Sequence, residues 1–299
     1  MTRVRVSALL IVLIFTGACS SVKLPAVTEE PTGSFLPGKV IWHDLISDAP
    51  DASKRFYTEL LGWQFEDVGA GMGGAAGYSL IRHNGRLIGG LVDQTRLQTR
   101  ADISQWVTVI SVADADAATA SVRAEGGRVF SAPVDVAERG RLAVVADSQG
   151  ALFALLQTSL GDPVDRDEVG VGEFLWNELW TGDIDAAGAF YGRLADYQTE
   201  DIEVVRQSSG EQARYRLMQS QGRPRLGIMK NPVDGLQPTW INYLRVADEA
   251  MLRSVIERAP QLGGAVLLEP QQRAVGGWAA LIAGPSGAGI ALQTWPVDE

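Results

Sequence analysis

Two short stretches of the sequence carry an aromatic ring two residues before a carboxylate. VIWHDL places Trp42 before Asp44, and FLWNEL places Trp176 before Glu178. Because side chains alternate across a strand, each pair lies on one face of its strand. Such a pair can stack on a ligand and orient a cationic or hydroxylated group, and the acid can act as a general base if burial raises its pKa. It can equally plug a cavity with the tryptophan, leaving the acid bonded to backbone.

His43 and His83 are the only two histidines in the chain. His43 is one residue out of phase with Trp42, so it is expected on the opposite face with Ile41 and Leu45, packed beneath the sheet and hydrogen-bonded. His83 ends a predicted strand beside a hairpin turn, where exposure to solvent is expected. A histidine-based site shared between the two stretches is therefore hard to build.

An internal repeat explains why the two stretches look alike. The sequence matches itself at offsets of 134 and 137 residues, with small loop insertions between them. The pairs at the first offset include Trp42 with Trp176, Phe56-Tyr57 with Phe190-Tyr191 and Trp106 with Trp240, and those at the second include Tyr78 with Tyr215, Gly85 with Gly222 and Gly90 with Gly227. We infer a duplication of about 120 residues.

In each half the sequence predicts two modules, and each module consists of a strand, a helix and three further strands. In the first module an amphipathic helix is expected over 50–61, since apolar residues recur on one face and Gly62 follows. Asn84-Gly85 predicts a hairpin between the third and fourth strands. In the second module the helix is expected over 115–124. The sequence therefore predicts an α+β fold with four βαβββ modules.

This order of elements carries the motifs W-x-[DE]-L, F-Y, G-W and D-S-Q-G-A-L-F-A-L. The combination resembles the vicinal oxygen chelate superfamily, which includes glyoxalase I, extradiol dioxygenases and bleomycin-resistance proteins. The resemblance implies two tandem glyoxalase-like domains with curled mixed sheets and helices on the outer face. It places them at residues 38–158 and 172–297, joined by a linker at 159–171, and implies that the two halves pack together as a pseudo-dimer.

The resemblance also gives the positions at which metal-using members hold their ion. In this sequence they fall on residues without donor atoms for a metal, which are Trp42, Val107 and Ala154 in the first half and Trp176, Ile241 and Ala291 in the second. We therefore expect no metal and no other cofactor. Tyr243 shares the face of Ile241, and Arg245 lies two residues further on, where it can pair with a carboxylate. Both are added to the candidate ligand-binding residues.

A glycine-rich stretch, Gly69–Gly74, satisfies the G-x-G-x-x-G pattern of dinucleotide-binding sites. That pattern works where a strand leads into a helix whose N-terminus meets the pyrophosphate. Here the next segment is expected to be a strand, Tyr78 to His83, and the corresponding loop of the second half is not glycine-rich. A flexible loop is the better interpretation.

The N-terminus resembles a lipoprotein signal. Residues 1–19 contain two early arginines, an apolar run and the ending Thr16-Gly17-Ala18-Cys19, in which threonine stands where leucine is usual. Cys19, the single cysteine, is the expected lipidation site, and residues 20–37 are expected to form a flexible tether. The protein is thus predicted to lie in a bacterial cell envelope, anchored by lipid and facing the periplasm, on the outer membrane in a Gram-negative host. The net charge of −10 argues against nucleic acid as a partner.

Four functions remain open at this point. The first is a tethered protein that binds a small molecule without metal in the sheet cavity. The second is a metal-dependent lyase or dioxygenase of the same superfamily, and the third is a metal-independent enzyme with Asp44 or Glu178 as general base. The fourth is a structural or interaction module. The sequence does not decide the oligomeric state.

Overall fold

The structure is a computed structural model, and it describes residues 23–68, 77–97, 99, 101–205, 212–273 and 276–295. The signal segment with Cys19 and the glycine-rich stretch Gly69–Gly74 lie outside these residues. Within the described part of the chain, no helix is long and apolar enough to cross a membrane.

The first half of the chain contains two modules, each with a strand, a helix and three strands. They are β1 (Val40–Ser47), α1 (Pro50–Leu61), β2 (Gln64–Asp67), β3 (Tyr78–His83) and β4 (Arg86–Asp93), followed by β5 (Gln105–Ser111), α2 (Ala115–Ala124), β6 (Arg128–Val136), β7 (Gly140–Ala146) and β8 (Leu152–Thr158). A short 3₁₀ turn, Gln94–Arg96, follows β4.

The second half repeats the same order of elements. They are β9 (Phe174–Thr181), α3 (Ile184–Ala195), β10 (Gln198–Val205), β11 (Gln212–Ser220) and β12 (Arg223–Lys230), followed by β13 (Thr239–Val246), α4 (Glu249–Arg258), β14 (Ala265–Gln272), β15 (Trp278–Ala283) and β16 (Gly289–Thr294). A second 3₁₀ turn, Pro260–Leu262, follows α4.

Each half forms one open mixed sheet of eight strands. The first runs β2-β3-β4-β1-β5-β8-β7-β6, and the second runs β10-β11-β12-β9-β13-β16-β15-β14. In the first sheet β1 pairs parallel with β4 and antiparallel with β5, and the second sheet repeats this with β9, β12 and β13. The α+β class and the four βαβββ modules are confirmed.

The helices begin and end where the sequence predicts. Helix α1 has Pro50 in its first turn, where the missing N–H costs no hydrogen bond, and it ends at Gly62 with a φ of 74°, which glycine adopts without strain. Its buried face includes Phe56 and Tyr57. The Tyr57 hydroxyl accepts a hydrogen bond from Trp106 Nε1 at 3.2 Å. Tyr191 and Trp240 make the same bond in the second half.

Each sheet has two faces, which we name by what they carry. The helix face carries the two helices, and the cavity face carries Trp42 in the first sheet and Trp176 in the second. The helix faces of the two sheets pack against each other, so two apolar cores are shared between the halves. In one core Leu45 and Phe56 lie with Leu244 and Leu252. The halves therefore pack together as the expected pseudo-dimer, with the apolar face of each helix buried in the shared cores.

His43 lies in this contact between the halves, opposite Trp42, as expected. Its Nε2 is 2.7 Å from Oδ1 of Asn177, the residue that takes its place in the repeat, and its ring stacks on Phe174 with centroids 3.7 Å apart. Burial lowers the pKa of His43 to about 4, against a weaker opposing effect of the Asn177 hydrogen bond. His43 is thus a neutral packing residue.

Two orientations expected for the first sheet are wrong. Ile41 does not accompany His43, because a register shift in the pairing of β1 with β5 lies between Val40 and Trp42. Ile41 packs in the same cluster as Trp42. His83 is buried, with its Nε2 2.9 Å from the carbonyl oxygen of Val171, because the segment joining the halves runs over the hairpin.

The described part of the expected tether, residues 23–37, packs against the protein. Leu24 and Val27 are buried on the cavity face of the first sheet. Further along, Gly33 N donates to the carbonyl of Leu160 at 3.1 Å. The expectation of a flexible tether is wrong for these residues, because two apolar side chains spaced three apart find an apolar cavity to fill.

Candidate ligand-binding site

The cavity face of the second sheet opens into a pocket of about 410 Å³. This volume is within the range of small-molecule sites in proteins. Its wall is mostly apolar and ends on a buried ion pair. The lining residues are Arg166, Asp167, Val169, Leu175, Trp176, Glu178, Ile202, Val204, Tyr215, Leu217, Pro224, Arg273, Gln293 and Trp295.

Glu178 lies at the floor of this pocket and is fully buried. Oε2 accepts hydrogen bonds from the Tyr243 hydroxyl at 2.5 Å and from Trp180 Nε1 at 3.3 Å. Oε1 accepts from Arg273 Nη2 at 2.7 Å and from the Tyr215 hydroxyl at 3.1 Å. Because a buried carboxylate is costly unless it is paired, this set of four donors explains why the charge is tolerated.

The electrostatics of Glu178 oppose a role as general base. Burial on its own would raise the pKa, but the charge of Arg273 and the hydrogen bonds from Tyr243, Arg273 and Trp180 outweigh burial, so the pKa of Glu178 is lowered. A carboxylate with a lowered pKa holds a proton weakly. The same environment raises the pKa of Tyr243, first through burial and then through the adjacent negative charge.

Tyr215 connects the tryptophan to the acid. Its hydroxyl accepts from Trp176 Nε1 at 2.7 Å and donates to Glu178. The ring passes so close to β12 that a Cβ on Gly227 would lie 1.9 Å from the Tyr215 hydroxyl. Only glycine leaves room for this approach, which gives a physical reason for the glycine that the repeat places in both halves.

The first sheet has a matching set of residues. The carboxylate of Asp44 accepts from Trp42 Nε1 at 2.9 Å and from the Tyr78 hydroxyl at 2.6 Å. Arg139 donates from Nη1 to the Tyr78 hydroxyl at 3.0 Å, and its guanidinium lies 4.7 Å from the centre of the Trp42 ring. A Cβ on Gly90 would lie 1.9 Å from the Tyr78 hydroxyl, as at Gly227.

The first cavity is filled by the chain itself. Leu24 and Val27 are each 4% exposed and pack with Trp42 and Tyr78. Arg139 is 2% exposed, and its Nε donates to the carbonyl oxygen of Pro25 at 3.1 Å. The N-terminal segment thus occupies the space that is open in the second half.

The residues on the cavity faces do not fit a metal centre. The six positions at which the family resemblance places metal ligands all lie in the clusters of the two cavity faces, but they carry apolar or indole side chains. A divalent ion requires several oxygen, nitrogen or sulfur donors converging on one point. Glu178 is instead engaged by the cation of Arg273. Across the described residues, no group of three histidine, cysteine, aspartate or glutamate side chains is placed to hold an ion.

Most of the residues singled out in the sequence come together in the two cavities. Trp42 and Asp44 meet in the first, and Trp176, Glu178 and Tyr243 meet in the second. Arg245 does not pair with a carboxylate. It sits at the end of β13, where its Nε donates to the carbonyl oxygen of Trp295 at 2.6 Å and its Nη1 donates to that of Val169.

Four site residues were not singled out as such. Tyr78 and Tyr215 mark the repeat at the longer offset, and Arg139 and Arg273 align at an offset of 134 residues. The presence of an arginine at the same place in both halves was the sequence signal that could have identified these two site residues. Both arginines lie outside the strand motifs, and nothing in the local sequence shows that they fold back over the sheet.

Comparisons with known proteins agree with this architecture. Residues 39–155 match the model of the Glyoxalase/Bleomycin resistance protein/Dioxygenase superfamily. The anthracycline biosynthesis protein DnrV of Streptomyces peucetius is 30% identical over 271 residues, covering 86% of this chain and 94% of that protein. CFP32 of Mycobacterium tuberculosis (strain CDC 1551 / Oshkosh), named provisionally as a glyoxylase, is 29% identical over 249 residues, covering 83% of this chain and 91% of that protein.

A solved structure shares the fold at low sequence identity. The Mn(II)-bound glyoxalase from Novosphingobium aromaticivorans superimposes with a TM-score of 0.57 at 16% identity, covering 87% of this chain and 83% of that one. At this identity the likeness concerns the fold, and the metal belongs to the neighbour.

Proposed function

Since this chain belongs to the glyoxalase/bleomycin resistance protein/dioxygenase superfamily, we propose that it binds a small molecule in the cavity of its second half without a metal ion. One observation carries the proposal. Glu178, at the floor of the cavity, is taken up by donors of the protein itself, and Asp167, the other carboxylate among the lining residues, accepts from Arg223, while the apolar wall is open. A cavity of this kind offers surface to a ligand and no set of donors to an ion.

The proposal favours binding over catalysis by these residues. A general base needs a pKa raised toward the working pH, and the pKa of Glu178 is shifted the other way. Asp44 faces a cavity that Leu24 and Val27 already fill. With the N-terminal segment in place, Asp44 is only partly exposed.

We also propose that the protein acts in the cell envelope, anchored through Cys19. The support comes from the sequence before the packed segment, which has the order of a lipoprotein signal. Metabolic labelling of the full chain with a radioactive fatty acid tests this. Label that disappears in Cys19→Ser supports lipidation, and equal label in both chains refutes it.

Screening the full chain against a metabolite panel by thermal shift tests the binding proposal. A ligand that binds the folded state raises the melting temperature, by an amount that grows with its concentration relative to Kd. We expect at least one compound to stabilise the protein equally before and after dialysis against EDTA. We expect the same compound to lose its effect in Leu217→Trp, because the indole fills the cavity.

Gln212→Trp serves as the matched control. Gln212 is exposed on the same strand as Leu217, lies on the opposite face by alternation, and is outside the residues that line the cavity. Stabilisation that survives in Leu217→Trp would place the ligand elsewhere and overturn the proposal. Stabilisation that vanishes after EDTA treatment and returns with a divalent ion would favour a metal-dependent enzyme instead.

A further inference from the structure

The two cavities share a set of four residues at equivalent places in the repeat. Each has a tryptophan, an acid, a tyrosine and an arginine at matching places in the repeat. The sets are Trp42, Asp44, Tyr78 and Arg139 in the first half and Trp176, Glu178, Tyr215 and Arg273 in the second. What one cavity holds is therefore informative about what the other can hold.

The first cavity holds a short stretch of extended chain. Lys23 forms an isolated parallel bridge with Ala137, which sets the stretch beside the end of β6. Leu24 and Val27 then enter the cavity with their side chains, and the carbonyl of Pro25 points at Arg139. In chemical terms the cavity is occupied by two aliphatic groups and one neutral carbonyl acceptor.

The guanidinium of Arg139 can donate more hydrogen bonds than it makes. Nη2 is buried and has no hydrogen-bond partner. A planar guanidinium carries donors on two adjacent nitrogens, a geometry that suits an oxygen acceptor. The N-terminal segment thus accepts from Arg139 Nε and leaves the Nη2 donor without a partner.

In the second cavity Arg273 lies in the corresponding place, with the wall open above it. Its Nη2 pairs with Glu178 and its Nη1 donates to Gln293 Oε1 at 2.5 Å, and its guanidinium lies 4.9 Å from the centre of the Tyr243 ring. Among the lining residues Glu178 offsets Arg273 in charge and Asp167 offsets Arg166, so a ligand that enters meets no net charge. A charged ligand would lose its hydration without gaining a partner of opposite sign.

From this correspondence we infer that the ligand of the second cavity is a neutral, largely apolar molecule with a carbonyl oxygen, which it presents to Arg273 as Pro25 presents its carbonyl to Arg139. The inference rests on the proposed function of this cavity and names the class of its ligand. The apolar part takes the places of Leu24 and Val27, against Leu217, Ile202 and the Trp176 ring.

A matched pair of probes tests the class of ligand. The two compounds 9-fluorenone and fluorene have the same planar shape and differ in one position, a carbonyl in place of a methylene. Fluorene is the more hydrophobic, so burial alone favours fluorene. We expect the full chain to bind 9-fluorenone at least about tenfold more tightly, as a hydrogen bond to a charged donor would give. Tryptophan fluorescence and equilibrium dialysis measure both affinities.

Variants locate the effect. Arg273→Lys keeps the positive charge beside Glu178 and loses the planar donors, so the preference should fall to about twofold or less. Arg139→Lys, the matched change in the filled cavity, should leave it unchanged. Leu217→Trp should abolish binding of both probes, which shows where they bind even if Arg273→Lys fails to fold.

The outcomes separate this inference from the proposed function. Equal binding of both probes, lost in Leu217→Trp, overturns the carbonyl inference and leaves the binding cavity standing. A preference that persists in a folded Arg273→Lys also overturns it. Binding of neither probe at their limits of solubility overturns the carbonyl inference, and the metabolite panel then tests the proposed function on its own.

Discussion

The two cavities of this protein are built from the same four residue types and differ in what fills them. In the first, residues of the N-terminal segment pack on Trp42, and the Tyr78 hydroxyl lies between the acid and the arginine. In the second, the wall is open, and Arg273 reaches Glu178 directly. A duplicated scaffold can thus keep the same four residues in both copies while one cavity is filled by the chain and the other stays open.

A second difference lies on the strands that pair with the acids. Tyr243 donates to Glu178, and the corresponding position of the first half is Val109, which has no polar atom in its side chain. The second acid thus has more donors and a directly bonded cation. The second site thus holds a charged carboxylate at the base of an open cavity. Replacing Arg273 should therefore destabilise the protein more than replacing Arg139.

The largest effect is expected from Arg273→Met. The substitution leaves the fully buried Glu178 without its cation, and breaking a buried pair in this way costs about 3–5 kcal/mol in the free energy of unfolding. Chemical denaturation measures it. Arg139→Met should cost less, since Arg139 makes no direct bond to Asp44. The double variant Glu178→Gln/Arg273→Met should recover much of the loss, and a double variant no more stable than Arg273→Met would argue against the pairing.

The contact between the halves should depend on pH through His43. Its folded pKa of about 4 lies below the ordinary value of 6.5, so between these pH values the unfolded chain binds a proton that the folded chain does not. Stability is therefore full above pH 6.5 and falls as the pH drops to about 4. The loss is about 3 kcal/mol at most.

The repeat supplies the control for this pH dependence. Asn177 occupies the place of His43 in the second half, so His43→Asn puts the same non-titrating residue on both sides of the contact. Unfolding free energies measured from pH 7.5 to 4 should show a smaller loss in His43→Asn than in the wild type. Parallel curves for the two proteins would contradict the assignment of His43 as a buried neutral residue.

A smaller effect is expected where glycine admits a tyrosine ring. In Gly227→Ala the new methyl group would overlap the Tyr215 hydroxyl, and overpacking of this kind costs about 1–3 kcal/mol. Gly90→Ala should behave alike in the first half. Gly192→Ala, on helix α3 with nothing within 4 Å of the added Cβ, should be neutral or slightly stabilising. If Gly227→Ala is as stable as Gly192→Ala, the ring does not approach β12 as described.

Much of the fold could be predicted because it rests on local signals and on the repeat. The helix at 50–61 follows from its apolar spacing, Pro50 and Gly62, and the observed helix has the same bounds. The pairing of Trp42 with Asp44 on one face follows from alternation along β1. The same alternation predicts the wrong face for Ile41. The register shift that turns Ile41 toward the cavity depends on the partner strand β5, and the local sequence does not show it.

The remaining features depend on contacts between distant parts of the chain. Leu24 and Val27 read as part of a proline-containing tether, and only the shape of the first cavity shows that they fill it. Arg273 follows β14 and reaches Glu178 across the sheet, a separation of 95 residues that no periodicity reports. Arg245 was assigned to a carboxylate by its parity, but at the strand end the backbone carbonyls of Val169 and Trp295 are its partners.

Thiol labelling tests most directly whether one cavity is sealed and the other open. Leu80 and Leu217 are equivalent in the repeat; Leu80 packs with Leu24 in the first cavity, and Leu217 lines the second. Each is replaced by cysteine in the full chain carrying Cys19→Ser, and the rate of reaction with a small thiol reagent is measured under native conditions. We expect Leu217→Cys to react at least about 100-fold faster than Leu80→Cys, which must wait for the N-terminal segment to open. Equal rates for the two would contradict the account.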